Sequence, residues 1–392
     1  MPHRQFRLMS ATMLVNNPRN ALCPDESGYL VYNLETAKLH RLNTAASLIL
    51  ELCQTGRSEA ELAEALAPVL GEQGDVLQQW IHFAESEQLL LPADKCPATI
   101  PTADEFADKA DDLRKDGEIL SAYVCQDHAT ALQPDPAQWR ARGNLAHILG
   151  RRDDAKYSYE QYLQLKPDNA EIRHLLSALR DQAPPQRAPD ECIQQLYSRF
   201  SDFYEHNMCE QLQYQAPERI SEILDEVLGQ TNALDILELG CGTGLAAKYL
   251  KPFARYLHGI DLSPEMIVQA RTTQLYDELA VAEITAFLSQ QTALYDLILA
   301  CDTMIYFGDL AQVAQPSAVL LRPGGHLIFT VEKGEQAPFK LMDSGRYTHT
   351  EQHVRSVAAA AQLEVVAMRE GFLRKEYGEP VIGLIVALRR LI

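Results

Sequence analysis

Positive charge is scarce in this sequence relative to negative charge. Its 35 lysines and arginines face 54 acidic residues, leaving a formal charge of −19 and an isoelectric point near 5.0. Such a surface repels phosphate backbones on average, so nucleic acid is not an expected partner. Arg151-Arg152 and Arg389-Arg390 are too short to form a basic patch. Long apolar runs are missing as well. No stretch could span a bilayer, and Met1 to Arg7 has no signal-peptide character, so no membrane association is expected. The eight cysteines, at 23, 53, 96, 125, 192, 209, 241 and 301, include no Cys-x-x-Cys pair. That excludes the usual structural zinc site, and no metal is expected. Their spread argues against a disulfide scaffold and for reduced thiols in a cytoplasmic protein.

What is present is enough apolar residue, 46%, for packed cores, and a length of 392 that implies two or three domains. Residues 1–95 open with two short runs, Tyr29–Tyr32 and Ala37–Leu42, around a polar turn, which reads as a β-hairpin. Asn43-Thr44 can cap a helix from Ala45 to Cys53. Ser58 and Glu61 make a capping box for a second helix, and Val76, Trp80, Phe83 and Ala84 mark a third. A hairpin and three short helices approach the winged-helix plan. The run Leu42-Asn-Thr-Ala-Ala46, with Leu48–Cys53 and Ser58-x-x-Glu-Leu62, resembles the PqqD-like peptide-binding chaperones that serve as recognition elements for ribosomally made, modified peptides. The resemblance implies leader-peptide binding by β-augmentation, in which an extended peptide adds a strand to the hairpin edge beside the third helix.

Residues 103–183 are helical and repetitive. Gly117, Ala122, Ala129, Leu132 and Pro134 recur as Gly150, Ala155, Tyr162, Leu165 and Pro167, and Asp168–Leu176 reads as the start of a truncated third copy. The pattern resembles tetratricopeptide repeats, which implies either a concave binding surface or a spacer. Ala183-Pro-Pro185 and Ala188-Pro189 then read as a stiff linker.

From residue 190 onward strands and helices alternate. Leu234-Asp-Ile-Leu237 is a buried strand running into Glu238-Leu-Gly-Cys-Gly-Thr-Gly244, and Asp261 ends a second strand about 20 residues later. That order describes a nucleotide crevice at the carboxyl edge of a parallel sheet. The runs Leu363–Met368 and Val381–Leu388 have no helix between them, so they pair antiparallel.

Glu238-x-Gly-x-Gly-x-Gly244, Gly259-Ile-Asp261-Leu-Ser263 and Arg322-Pro-Gly-Gly-His-Leu327 together are similar to class I S-adenosylmethionine-dependent methyltransferases. Tyr197–His206 and Gly345–His349 resemble the predicted methyltransferases that carry tetratricopeptide repeats. The fold expected is therefore multidomain α/β: a winged-helix-like domain (1–95), helical repeats (103–183) and a Rossmann-like methyltransferase domain (190–392) with an antiparallel strand at the sheet edge. The resemblance implies S-adenosylmethionine as cofactor. It places Gly240, Gly242 and Gly244 against the amino-acid end, Glu238 at the turn, Asp261 on the ribose hydroxyls, Leu262 and Met266 beside the adenine, Glu283 toward the adenine amine, and Asp302, which ends the fourth strand, among the cofactor-binding residues. His206, Tyr306 and His349 are candidates for catalysis, with Tyr204 and Tyr347 near the mouth. The function implied is methylation of a ribosomally synthesised precursor peptide recruited through residues 1–95. Rival readings are a methyltransferase of a small molecule or folded protein with a purely structural N-terminal domain, and an inactive scaffold.

Overall fold

The computed structural model describes residues 12–70, 74–180, 183–200, 204–229, 231–336, 338–376 and 378–391. Met1 to Arg7, read above for a signal sequence, lies outside them. The chain forms two compact units, Met1–Pro167 and Asp168–Ile392.

In the first unit, β1 (Met13–Asn16) pairs with β5 (Arg57–Ser58) and β6 (Leu90–Pro92). A second sheet has the order β2 (Asn20–Asp25), β3 (Gly28–Asn33), β4 (Lys38–Asn43). The expected hairpin is β3–β4, with Val31 opposite His40. Strands β1, β2 and β6 carry too weak an alternation to be read in advance. Three helices follow: α1 (Thr44–Leu52), α2 (Glu59–Leu70) and α3 (Gly74–Ser86). Asn43 caps α1 through the Ala46 N–H at 2.9 Å, and Glu61 accepts the Ser58 N–H at 2.8 Å, as the capping box requires. Leu50, Leu62, Leu66, Ile81 and Val31 close one apolar core between these helices and the sheet.

The rest of this unit is two antiparallel helix pairs, α4 (Ala103–Lys115) with α5 (Ile119–Leu132), and α6 (Pro136–Ile148) with α7 (Arg152–Leu165). The repeated glycines follow from backbone geometry. Gly117 and Gly150 each end the first helix of a pair with φ of +82° and +70°. Ala122 and Ala155, fully buried, allow the helices of each pair to approach.

The unit boundary differs from the one expected. The helix α8 (Ala170–Leu179), read as a third repeat copy, belongs to the second unit. There His174 Nε2 donates to the Gly345 carbonyl at 2.8 Å. Residues 185–188 are not a free linker either. The Ala188 N–H donates to the Tyr306 carbonyl, the Gly308 N–H to Gln186, and the Tyr347 hydroxyl to Pro185, each at 2.8 Å. Proline holds the chain extended while leaving its carbonyls free to accept, so this segment can pair like a strand.

After α9 (Asp190–Phe200), α10 (Tyr204–His206) and α11 (Ala216–Leu228) come the sheet and its crossovers. These are β7 (Leu234–Leu239), α12 (Ala247–Leu250), β8 (Ala254–Asp261), α13 (Pro264–Thr272), β9 (Glu278–Val281), α14 (Ile284–Gln290), β10 (Tyr295–Ala300), α15 (Ala311–Leu320) and β11 (Leu321–Lys333). A short hairpin, β12 (Phe339–Leu341) and β13 (Tyr347–His349), then α16 (Glu351–Ala360), β14 (Leu363–Glu376) and β15 (Glu379–Arg390) complete the unit.

Strands β9, β8, β7, β10 and β11 lie side by side and parallel. Alternate residues of each strand serve opposite cores. Ile236, Leu297 and Leu299 pack with α11, whereas Leu237, Ile298 and Ala300 pack with α15 and α16. Burial on both faces explains why these strands read as unbroken apolar runs. The β14–β15 pair is antiparallel as expected, but the reversed strand is not the edge strand. β15 lies antiparallel between β11 and β14, and β14 forms the border. The short connection after β14 lets β15 fold back into the sheet, which a helical crossover would not require.

Candidate functional site

The chain runs outward from β7 through β8 to β9 and then crosses back to β10 on the other side of β7, so the carboxyl ends of these strands face an open crevice. One wall is the turn after β7. Gly240 and Gly242 have φ of +66° and +54°, a region closed to most side chains. A Cβ on Gly240 would stand 2.5 Å from Thr303 Oγ1, whereas one on Gly242 would meet nothing within 4 Å. The first glycine is thus demanded by the protein's own packing. The second faces empty space.

Asp261, at the end of β8, holds this turn. Its two carboxylate oxygens accept the Gly242 N–H at 2.9 Å and the Ser263 N–H at 2.8 Å. Burial pushes its pKa up, and those backbone donors pull it back. Each oxygen retains a second lone pair for a ligand. Ser263 caps α13 through Met266 N, and this sets Leu262 and Met266 along the same wall. Glu238 lies deeper, in a recess lined also by Gly240, Cys241, Gly242 and Thr243. Burial first, then the Asp261 charge, push its pKa up to about 8, against a hydrogen bond from the Tyr276 hydroxyl at 2.8 Å. The Thr243 hydroxyl is buried there without a partner.

The opposite wall is aromatic. Tyr197 and Tyr306 share a hydroxyl hydrogen bond of 2.7 Å, and Tyr204 meets Tyr197 edge-on at 5.9 Å between ring centroids. Burial pushes the phenol pKa of Tyr306 up to about 12 and those of Tyr197 and Tyr204 well above their ordinary value, so all three are neutral hydroxyls. At the floor, Asp302 has φ of +53° and receives Arg374 on both oxygens, at 2.8 and 3.0 Å. Arg374 also pairs with Glu332, which accepts from Arg346 at 2.9 Å, and Arg346 pairs with Glu376. Burial opposes the Arg374 charge, and its acidic neighbours outweigh that, raising its pKa. The crevice, about 700 Å³ including its open mouth, is closed at the rim by Arg187, Asp190 and Ile193.

Of the residues singled out from sequence, Gly240, Gly242, Asp261, Leu262, Met266, Glu283, Asp302 and Tyr306 line this one crevice, and Glu238 lines the adjoining recess. Glu283 is already engaged. It caps α14 through Thr285 N and Ala286 N and pairs with Arg187. Gly244 is placed differently from expectation. Its φ is +94°, and a Cβ there would stand 3.1 Å from the Tyr276 ring, so it serves packing within the protein. His349 is also displaced from the role expected. It is fully buried in β13, outside the crevice lining, stacked 5.4 Å from His353. Burial, then His353, lower its pKa to about 3, so it stays neutral and cannot reach an acceptor. Tyr347 is likewise buried and spends its hydroxyl on Pro185. The side chain of His206 lies outside the described residues.

Arg187, Asp190, Thr303, Tyr276 and Arg374 were not anticipated. Tyr197 belongs to the Tyr197–His206 motif, and nothing in that motif by itself marks its ring for this wall. Arg187, Thr303 and Tyr276 come from loops, Asp190 from the first turn of α9 and Arg374 from β14, far apart in sequence. Among the described residues there is no group of His, Cys, Asp and Glu that could hold a metal ion, and no helix long and apolar enough to cross a membrane.

Residues 237–327 match a family model described as a methyltransferase domain. The chain is 32% identical to nodulation protein S of Rhizobium tropici over 117 residues, 28% of this chain and 48% of that protein. It is 32% identical to the ubiquinone biosynthesis O-methyltransferase of Xylella fastidiosa over 110 residues, 27% of this chain and 45% of that one. The chain thus spans about half the length of these curated relatives. Among solved structures, 1,6-didemethyltoxoflavin-N1-methyltransferase of Burkholderia thailandensis is 21% identical with a TM-score of 0.42, covering 54% of this chain and 94% of that one.

Proposed function

We propose that this chain applies its methyltransferase domain, which uses S-adenosylmethionine, to a peptide acceptor bound by the first unit. The observation that carries the transfer reading is the crevice over Gly242. It offers open space beside a glycine turn, an acid with free lone pairs at the end of the next strand, and an unpartnered buried hydroxyl at Thr243. These suit the ribose and the amino-acid end of the cofactor. Bound S-adenosylmethionine supplies a methyl group already activated on a sulfonium. Asp261 would accept from the ribose hydroxyls, Glu238 would face the amino group, and Leu262 and Met266 would cover the adenine. Tyr197, Tyr204 and Tyr306 exclude water and orient the acceptor by neutral hydroxyls. With no ionised base among them, these residues contribute by placement, the larger part of the acceleration in such a displacement. Asp302, locked by Arg374, serves as floor.

The peptide reading rests on the β2–β3–β4 sheet. Its β2 edge is closed, since the Leu22 N–H donates to His128 Nδ1 of α5 at 3.3 Å. Beyond β4 no strand lies among the described residues. Beside that edge α3 exposes Val76 and Phe83, seven residues apart on one helical face, and the Phe83 ring meets His40 of β4 edge-on at 6.1 Å. A free strand edge next to an apolar helical strip suits an extended peptide, which would add main-chain hydrogen bonds on one side and seat alternate side chains on the other. Holding a leader on the same chain raises the local concentration of the modified segment to the millimolar range for short links.

The test uses peptides encoded by short open reading frames next to the gene, with release of S-adenosylhomocysteine as readout. Turnover on the full peptide should exceed that on the leaderless form at least tenfold, and Phe83→Asp should abolish the difference while leaving cofactor binding unchanged. Equal rates on both forms would point instead to a small-molecule or folded-protein acceptor.

A further inference from the structure

We infer that Tyr276 is a positioning residue for Glu238, a buried phenol that aims this carboxylate at the cofactor's amino group and favours its ionised form. The inference rests on the cofactor reading above, but its subject is a residue outside the glycine motif. Tyr276 sits in the connection between α13 and β9. Its ring occupies the space of two missing side chains. A Cβ on Gly244 would stand 3.1 Å from Tyr276 Cε2, and one on Gly259 would stand 2.7 Å from Tyr276 Cε1. Those two glycines are therefore needed to admit a tyrosine, whose hydroxyl then donates to Glu238 Oε2 at 2.8 Å.

This contact decides what Glu238 can do. It is 2% exposed, and burial is the main force against its charge. The titratable groups facing it are Asp261 from β8, Cys241 from the turn, Cys301 after β10, and Tyr276 itself. Asp261 disfavours the Glu238 charge, and both thiols are neutral, their pKa values pushed well up by burial. Tyr276 is the one group among these that donates to Glu238 with ordinary hydrogen-bond geometry. Binding an ammonium group requires the ionised carboxylate. Affinity for an amino-acid ligand should therefore rise with pH until Glu238 is deprotonated, near pH 8 in the empty protein. Removing the phenol hydroxyl raises that pKa further, so the rise moves to higher pH.

The experiment is calorimetric titration with S-adenosylhomocysteine from pH 6 to 9 on the full-length protein, Y276F, E238Q and E238Q/Y276F. Phenylalanine keeps the ring against Gly244 and Gly259, so the fold is retained. Y276F should move the pH midpoint of affinity up by about one unit and weaken binding at pH 7 by about tenfold, as expected for one hydrogen bond to a charged group. In the E238Q background the same change should do nothing. An equal loss in both backgrounds, or an unmoved midpoint, overturns the inference and makes Tyr276 a packing residue. If the wild-type protein does not bind S-adenosylhomocysteine, the cofactor reading fails. The carboxyl titration of Glu238 in the ligand-free protein, followed by 13C NMR with and without Y276F, then decides the role of Tyr276 by itself.

Discussion

Asp261→Ala should remove S-adenosylmethionine binding almost completely, lowering affinity at least about 100-fold, because two hydrogen bonds to a charged acceptor contribute roughly 1.5–3 kcal/mol each. Isothermal titration on the full-length protein checks this. The same substitution should destabilise the ligand-free protein. It strands the N–H groups of Gly242 and Ser263, now held at 2.9 and 2.8 Å, and a buried donor without a partner costs about 1–3 kcal/mol. Asp261→Asn does not escape the problem. Both oxygens accept from the backbone, so whichever side receives the amide nitrogen confronts one donor with another. Asparagine should therefore behave more like alanine than like aspartate. If Asp261→Asn bound the cofactor as the parent does, the ribose assignment would be wrong.

Arg374→Met should cost about 3–5 kcal/mol of stability. Its side chain is 4% exposed, and it separates Asp302 from Glu332, at 9% and 7%. Removing the guanidinium leaves two buried carboxylates facing each other, with Arg346 answering only for Glu332. Denaturant unfolding of the parent and variant measures the loss. Adding Asp302→Asn should restore part of it. Asparagine tolerates the φ of +53° at this position and removes the stranded charge. A full loss that Asp302→Asn leaves untouched would mean that Arg374 acts by packing alone. Methyl transfer should fall together with stability, since Asp302 and Tyr306 border the same crevice.

The cofactor wall was legible in advance because its residues are local. Gly240, Gly242, Asp261, Leu262 and Met266 fall within two strand–turn–helix passages, and such geometry follows from short-range rules for glycine, caps and strand ends. The aromatic wall was half legible. Tyr204 and Tyr306 stand out in sequence beside the motifs, but the meeting of Tyr197 with both depends on how α9 and α10 pack over the sheet. Sequence alone could not distinguish a histidine lining the crevice from one locked behind it, and His349 is the second kind. The proline-rich segment illustrates the same limit. Its composition predicts an extended, stiff chain, which it is, but not that Gln186 and Ala188 would pair with residues 306–309.

By itself the sequence determined the glycine turn with its following acid, the parallel strands buried on both faces, the antiparallel final pair, and the helices that end at Gly117 and Gly150. Each of these is set by contacts between near neighbours or by the periodicity of one element. Only the tertiary structure decided that β15 lies inside the sheet, that α8 joins the second unit, that Tyr276 explains Gly244 and Gly259, and that a chain of buried and half-buried charges from Asp302 to Glu376 underlies the crevice. These join residues tens to over a hundred positions apart, where pairing is chosen by complementary shape and charge across elements and leaves no period in the sequence.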